Sequence, residues 1–410
     1  MDFLTIVYLA YGFLALYILI LYSLIYLQNR TRFSESPPIK KQFSLSIVVP
    51  CYNAKHAIGE TIQSLLNLNY KGLKKIIVVD DCSTDNSYKI AKSFQRKYPG
   101  KVKVVRTPKN TGRAAGAKNF GAKFARTDLI GFTDDDSRPK RDAVSHMIGY
   151  FNDSKVGGVT SRVLVQNRKS FLGRLQSFEY KIIAFTRKIL GFVDAIYVTN
   201  GPLSIYTRKA FREVGGFSMA NWTEDIEITW HMVAKGYKIN MAIPAKVHTV
   251  VPNTLKAWFR QRLRWNVGGL QTIVSYKKSF LRCGMLGFFI LPYFVLSWAL
   301  ALFGLLVLIY RFGRTLIIRY LATKMSIESQ TAILTLRDIN LTPGVLLFFG
   351  ILLFALGLTY NLFALSHSRD EELGKEGFSY FFVYMFVYLT LYPIILVTSI
   401  YKYIKGYNKW

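Results

Sequence analysis

Long apolar runs at both ends of the chain limit its fold more than any motif does. Residues 4–27 are nearly free of charge, and residues 286–310, 345–365 and 378–404 each reach the roughly 20 residues that a helical bilayer crossing needs. With 51% hydrophobic residues piled towards the two ends, the pattern predicts a protein held in a membrane by four spans. It divides the chain into an N-terminal transmembrane helix over 1–28, a linker over 29–44, a central domain over 45–283 and a membrane region with about three helices over 284–410. Arg30, Arg32, Lys40 and Lys41 follow the first run, and that flank places the central domain in the cytosol of a multi-pass plasma-membrane protein. No basic residue precedes the run and no small-residue cleavage site follows it, so a retained anchor is expected instead of a signal peptide. One segment opposes this topology. The linker 311–342 then lies outside while holding Arg311, Arg314, Arg319, Lys324 and Arg337, against Arg369 and Lys375 in the later cytosolic linker.

The net charge of +30 admits three partners: nucleic acid, an anionic membrane surface and phosphorylated small molecules. No nucleic-acid module is present, and the basic residues interleave with apolar ones in helical register, which favours membrane and phosphate. In the stripe Phe171, Leu175, Phe178, Ile182, Phe185 and Ile189, steps of four and three leave Arg174, Lys181, Arg187 and Lys188 off the apolar face. An interfacial helix and a helix packed on the domain core both fit that pattern. Cys51, Cys82 and Cys283 are scattered without metal-ligand spacing and point to a reducing compartment.

The central domain opens with an apolar strand over 45–50, then Cys51-Tyr-Asn53 and a helix near 59–68. A second strand over 75–79 ends in Asp80-Asp81-Cys-Ser-Thr-Asp85. Strand, helix and strand with acidic residues at a carboxyl end is the arrangement that binds ligands outside the strand ends, and a nucleotide fits there. Asp81 can accept from a base N–H, Tyr52 can stack on the base, and Ser83 and Thr84 are expected to cap the next helix. After a third strand over 102–105, the glycine-rich run Asn110–Asn119 offers Arg113 and backbone N–H groups to a diphosphate, without P-loop spacing. The apolar strand over 128–133 then leads into Asp134-Asp-Asp136. Three adjacent carboxylates destabilise a fold unless a cation offsets them, so a divalent metal is implied. Alternation sends Asp134 and Asp136 to one side, where they are the candidates for metal and ribose, Asp136 being the better metal ligand.

Residues 221–265 complete the set. Asn221 and Thr223 suit a helix cap, Glu224 and Asp225 the positive end of that helix, and Gly236 its stop. Taken alone, that pattern is ordinary capping. Gln261 and Arg264 stand one helical turn apart with Trp265 beside them, and an indole next to a cation suits a sugar ring and a diphosphate. A lone His248 in an apolar strand-like run reads as structural rather than as a further metal ligand.

In order along the chain, Val49-Pro-Cys-Tyr-Asn53, Asp80-Asp81, Asp134-Asp-Asp136, Thr223-Glu-Asp225 and Gln261-Arg-Leu-Arg-Trp265 resemble the motifs of family 2 inverting glycosyltransferases. The similarity runs from about residue 45 to 271, and the last two motifs are similar to those of membrane-embedded cellulose, chitin, hyaluronan and, best of all, poly-N-acetylglucosamine synthases. The resemblance implies an α/β fold of the GT-A, Rossmann-like type, a cytosolic domain inserted between transmembrane helices. It implies that Pro50, Tyr52, Asp81, Arg113, Asp134, Asp136, Gln261 and Arg264 bind a nucleotide sugar, with Mg2+ or Mn2+ at Asp136. Asp225 would be the general base, with Glu224 beside it in the catalytic pair, and Asn200, Gly201 and Trp265 would face the acceptor. The implied reaction is inverting transfer from a UDP-sugar, with UDP-N-acetylglucosamine the expected donor, onto the hydroxyl of a growing polysaccharide. Single transfer to a polyprenyl phosphate or other lipid, and a non-catalytic membrane scaffold, are the alternatives. Ala54 stands where the family commonly has an acidic residue, and the gating loop of cellulose synthases is not recognisable. Four spans leave room for a small membrane subunit or a homo-oligomer to complete a polymer channel.

Overall fold

The computed structural model describes residues 3–330, 345–367 and 378–406. Helix α1 (Phe3–Asn29) leads into the central domain, whose eight strands form one sheet. The strands are β1 (Leu45–Cys51), β2 (Leu73–Asp80), β3 (Val102–Arg106), β4 (Leu129–Phe132), β5 (Arg138–Pro139), β6 (Val156–Val165), β7 (Ser204–Thr207) and β8 (Lys238–Thr249). Their order is β3-β2-β1-β4-β7-β6-β8-β5, with β3, β2, β1 and β4 parallel and β7 antiparallel to both its neighbours. Because β2 and β3 lie to one side of β1 and β4 to the other, the strand order reverses beside β1. Ligands of open α/β sheets bind outside the carboxyl ends at such a point.

Both faces of the parallel strands are covered, which is why their sequences read as unbroken apolar runs. Ile47, Val49, Ile76 and Val78 point into one core with α2 (Ile58–Leu66) and α5 (Ala143–Ile148). Val48, Ile77, Val79, Ile130 and Phe132 point into the other, which includes residues of α4 (Ala114–Ala122), α6 (Phe171–Gly191), α7 (Arg208–Glu213) and α8 (Glu224–Ala234). Helix α3 (Ser87–Lys97) packs beside α2. Ser83 and Thr84 do not cap it. Ser83 Oγ accepts from the Asn53 N–H, and the Thr84 N–H donates to Asn53 Oδ1, so both fix the turn after β1 instead.

Helix α9 (Leu255–Ser275) carries the Gln261–Trp265 motif, and α10 (Leu291–Glu328), α11 (Val345–Ser366), α12 (Phe378–Val383) and α13 (Leu391–Ile404) follow. Among the described residues three segments are long and apolar enough to cross a membrane: Thr5–Asn29, Leu286–Glu328 and Ser379–Ile404. Helix α11, 22 residues of apolar sequence over Val345–Ser366, coincides with the span expected over 345–365, and Ile351–Ser366 is a shorter apolar stretch within it. The second segment does not stop at Tyr310. A π-helical turn at Leu286–Ile290 runs straight into α10, so Arg314, Arg319 and Lys324 belong to a helix and not to a loop. Arg337, Arg369 and Lys375 lie outside the described residues.

Helix α6 is covered on both sides, the packed one of the two placements its sequence left open. Its stripe packs inside the protein, Phe178 against Phe381 and Phe185 against Tyr26 and Phe363. Its other side meets β6 and β8, so Lys181, Arg187 and Lys188 are buried as well. An amphipathic pattern assigns the polar side to water only where nothing covers it, and here the sheet does.

Candidate active site

A cavity of about 600 Å³ opens at the carboxyl ends of β1, β2 and β4. Its walls include Pro50, Tyr52, Asp81, Arg113, Asp134, Asp136, Asn200, Gly201, Glu224, Asp225, Gln261, Arg264 and Trp265, so the sequence-derived candidates converge on one place. They arrive from elements far apart in the chain: the ends of three parallel strands, the start of α8 and one face of α9.

Tyr52 is 52% exposed and free to stack on a flat ring. Asp81 is differently placed from the open acceptor expected. Its carboxylate takes bonds from Thr107 Oγ1 (2.7 Å), Thr111 Oγ1 (2.7 Å) and the Thr111 N–H (3.0 and 3.1 Å), latching the glycine-rich loop onto β2. Arg113 also spans the cleft, its Nη1 donating to the carbonyls of Met219, Ala220 and Asn221 just before α8. Asn200 is buried, its Oδ1 bonded to Thr160 and Arg187 and its Nδ2 to the Ser161 carbonyl. Its side chain therefore fixes the Asn200–Pro202 turn from within, and the backbone of that turn is what faces the cleft. Gly201 permits a close approach there, because a Cβ would collide with the Asp134 carboxylate.

The three aspartates occupy separate positions around one corner. Asp136 Oδ1 accepts from Ser137 and Thr249 hydroxyls at 3.2 Å each, and Asp135 Oδ2 accepts from the Tyr52 N–H at 3.4 Å. Burial and the neighbouring aspartates push Asp135 up to about 7 and Asp136 up to about 6. An all-oxygen donor set suits a hard divalent cation. Among the described residues no three acidic, His or Cys side chains are grouped to hold an ion unaided. A site that offers one or two carboxylates and leaves the rest to substrate phosphates is the usual Mg2+ arrangement, and Asp134 and Asp136 fit it.

Lys118 is the residue that motif reading missed. It projects from α4 with its side chain almost fully buried, 2.8 Å from Glu224 and 3.4 Å from Asp134. Burial alone would lower its pKa, but Glu224 and Asp134 outweigh that and hold it raised and charged. Glu224 is lowered in turn; burial acts against this, and Lys118 overrides it. With Glu224 ionised beside it, Asp225 is pushed up to about 6 by burial and by that neighbour, while Lys118 and Arg264 pull it down. Thr223 makes no side-chain cap. Asn221 instead bonds Thr272 through Nδ2 (2.8 Å) and accepts the Thr223 N–H, which ties the start of α8 to α9.

On α9, Arg262 organises the motif from below. Its guanidinium lies 4.0 Å from the Trp265 ring centroid and its Nη1 donates to Gln261 Oε1 at 2.6 Å. Its Nη2 is paired with Glu179 of α6 at 2.5 Å and its Nε donates to Tyr392 at 2.9 Å.

The sequence of residues 46–215 matches the family described as Glycosyl transferase family 2. The chain carries a family 2 glycosyltransferase domain. The matched stretch holds Tyr52, Asp81, Arg113 and Asp134–Asp136 and ends before Asp225, so α8 and α9 add their residues to this glycosyltransferase cleft from beyond it. A poly-beta-1,6-N-acetyl-D-glucosamine synthase of Staphylococcus epidermidis is 30% identical over 251 residues, covering 61% of this chain and 60% of the relative. The synthase of the same name from Staphylococcus aureus strain COL is 30% identical over 232 residues, 56% of this chain and 55% of the relative. The chain thus spans a little over half the length of these relatives. A mannosyltransferase from Pyrobaculum calidifontis, solved with GDP-Man and Mn2+, superposes with a TM-score of 0.62 at 16% identity, covering 98% of this chain and 99% of that one. The fold likeness therefore extends beyond the GT-A domain to the described apolar helices that flank it.

Proposed function

We propose that this glycosyltransferase transfers N-acetylglucosamine from UDP-N-acetylglucosamine, with inversion, onto the hydroxyl of a growing polysaccharide at a membrane. The observation that carries the reading is Asp225, raised to about 6 by burial and Glu224, in the same cleft as Asp134, Asp136, Gln261, Arg264 and Trp265. A carboxylate tuned towards neutrality is suited to take a proton near physiological pH. The names of the staphylococcal relatives support the sugar and the polymer. The apolar segments that flank the domain, with Arg30, Arg32, Lys40 and Lys41 after the first, support a cytosolic catalytic face.

In this mechanism Tyr52 stacks on uracil, and Asp81 holds the base once the bonds from Thr111 are exchanged for it. Lys118, Arg264 and Arg113 place positive charge around the diphosphate, and Asp134 and Asp136 would hold Mg2+ or Mn2+. Such a cation supplies charge neutralisation to the leaving diphosphate. Asp225 removes the proton of the attacking acceptor hydroxyl, the new C–O bond forms at the anomeric carbon, and the bond to UDP breaks on the opposite face. The Glu224–Lys118 pair fixes the start of α8 and so the aim of Asp225. Trp265 offers an aromatic platform that suits a sugar ring at any position along a polymer, so it favours a processive enzyme.

Incubating the purified chain with a panel of labelled nucleotide sugars and sizing the products tests this reading. A ladder made from UDP-N-acetylglucosamine is expected, and Trp265→Ala should shorten it while UDP still binds. A product with one sugar on a lipid would replace the polymer reading by single transfer.

A further inference from the structure

The α6 side of the cleft has a different chemistry from the rest. Tyr180, Ile183, Ala184 and Arg187 line it together with Tyr197 and Val198, an apolar and aromatic wall with one guanidinium set in it. Arg187 is only 8% exposed. Its Nη1 donates to Asn200 Oδ1 at 2.6 Å, its Nε has no hydrogen-bond partner, and among the described residues it makes no ion pair. Burial lowers its pKa, with Tyr197, Asp225 and Tyr180 acting the other way. A buried guanidinium with no carboxylate in direct contact is costly, and an anion that reaches it relieves that cost.

Three observations say which anion. Asn200 bonds to Arg187 while the next residue, Gly201, abuts Asp134, so a turn of backbone separates this guanidinium from the aspartate corner. The carboxylate that Arg187 senses most is Asp225, which belongs to the acceptor side. In addition, α6 packs directly on α11 and α12, so the wall borders the apolar helices where a lipid tail would run. We propose that Arg187, framed by Tyr180 and Tyr197, is a subsite for the phosphate of a lipid-linked sugar that primes the polymer, and thereby presents the hydroxyl of that first acceptor to Asp225. The step stays balanced as written above: the hydroxyl oxygen bonds to the anomeric carbon, its proton passes to Asp225, and UDP leaves with the electron pair. This assignment rests on the reading of the cleft as a transferase centre with Asp225 as base.

The test measures binding, so it does not wait on turnover. The full chain in nanodiscs is titrated with polyprenyl-phosphate-linked N-acetylglucosamine and with the uncharged polyprenyl glycoside of the same sugar and tail. The phosphate lipid should bind at least about tenfold more tightly. Arg187→Gln should erase that difference, Arg187→Lys should keep most of it, and the UDP dissociation constant should move less than about twofold in either variant. Equal binding of the two lipids by the wild type overturns the proposal, and that comparison needs no variant to fold. Displacement by inorganic phosphate as effective as by the phosphate lipid would also overturn it, because the site would then belong to free phosphate. So would loss of UDP affinity in Arg187→Gln matching the loss of lipid affinity, which would assign Arg187 to the donor. If the phosphate preference holds but no UDP-sugar is turned over, the subsite stands and the proposed transferase reaction fails.

Discussion

The proposed mechanism gives Asp225 and Asp136 separate roles, proton acceptor and metal ligand. Asp225→Asn should retain UDP and lose transfer by a factor of about 10² or more, since an amide takes no proton, while Asp136→Ala should weaken metal-dependent UDP binding itself. Titration with UDP checks this, and equal losses of affinity in the two variants would mean the roles are wrongly divided. The pH dependence has a definite sign. In the proposed mechanism Asp225 acts ionised, and its pKa is pushed up to about 6, so the transfer rate should fall as pH drops through that region. Its folded value lies above the unfolded one of 3.8, so protonation favours the folded state; that contribution is complete at low pH and lost as pH rises through about 6. Asp225→Asn should accordingly raise the unfolding midpoint at pH 8 and bring little gain at pH 4. At this scale the sequence reached the residues that stand in motifs and missed those whose partners are remote. Lys118 sits in an ordinary Ala-Lys-Asn helix, and its partner Glu224 is 106 positions away. Asp81 and Asn200 line the cleft, but their hydrogen bonds to Thr111 and Arg187 depend on loop geometry that no spacing encodes.

Helix α9 meets α6 and the last helices through one buried polar knot. Glu179 accepts from Arg262, Tyr388 and Tyr392, and Tyr388 also accepts from Trp258 Nε1 at 2.6 Å. Because Arg262 also bonds Gln261 and lies over Trp265, the knot sets the pose of two cleft residues from behind. Arg262→Leu strands Glu179 without its cation, and a loss of about 3–5 kcal/mol in stability is expected, measured by thermal unfolding in detergent. Tyr388→Phe is milder, leaving the Trp258 N–H unpartnered at about 1–3 kcal/mol. If the knot positions the cleft, Tyr388→Phe should lower kcat more than it raises KM for the donor, which mere loosening of the fold would not select. Strands and helices of the parallel half were legible because the unbroken apolar runs of the strands and the period-3.6 patterns of the helices are local. The burial of α6 was not, since its second cover comes from residues such as Tyr360, 174 positions later than its partner Thr186.

The whole molecule poses a question of sidedness that α10 can answer. The apolar segment beginning at Leu286 runs 43 residues, about 65 Å of helix against a hydrocarbon core of about 30 Å. Its first turns stand against the catalytic domain, with Phe294 5.8 Å from Trp230 and 4.8 Å from Tyr197. A straight helix that starts at the cytosolic face must carry Arg314, Arg319 and Lys324 out of the far side, against the usual preference for basic residues inside. Two positions decide between these tendencies. Cys283 is exposed just before the segment, on the domain's side, and Ser326 lies near its far end. With a membrane-impermeant maleimide on intact cells, the wild type should stay unlabelled until the membrane is opened, whereas Ser326→Cys should label at once. Labelling of the wild type on intact cells would place the catalytic domain outside. Labelling of Ser326→Cys only after permeabilisation would mean that α10 does not cross, because its basic half is then held on the same side as the aspartates of the cleft.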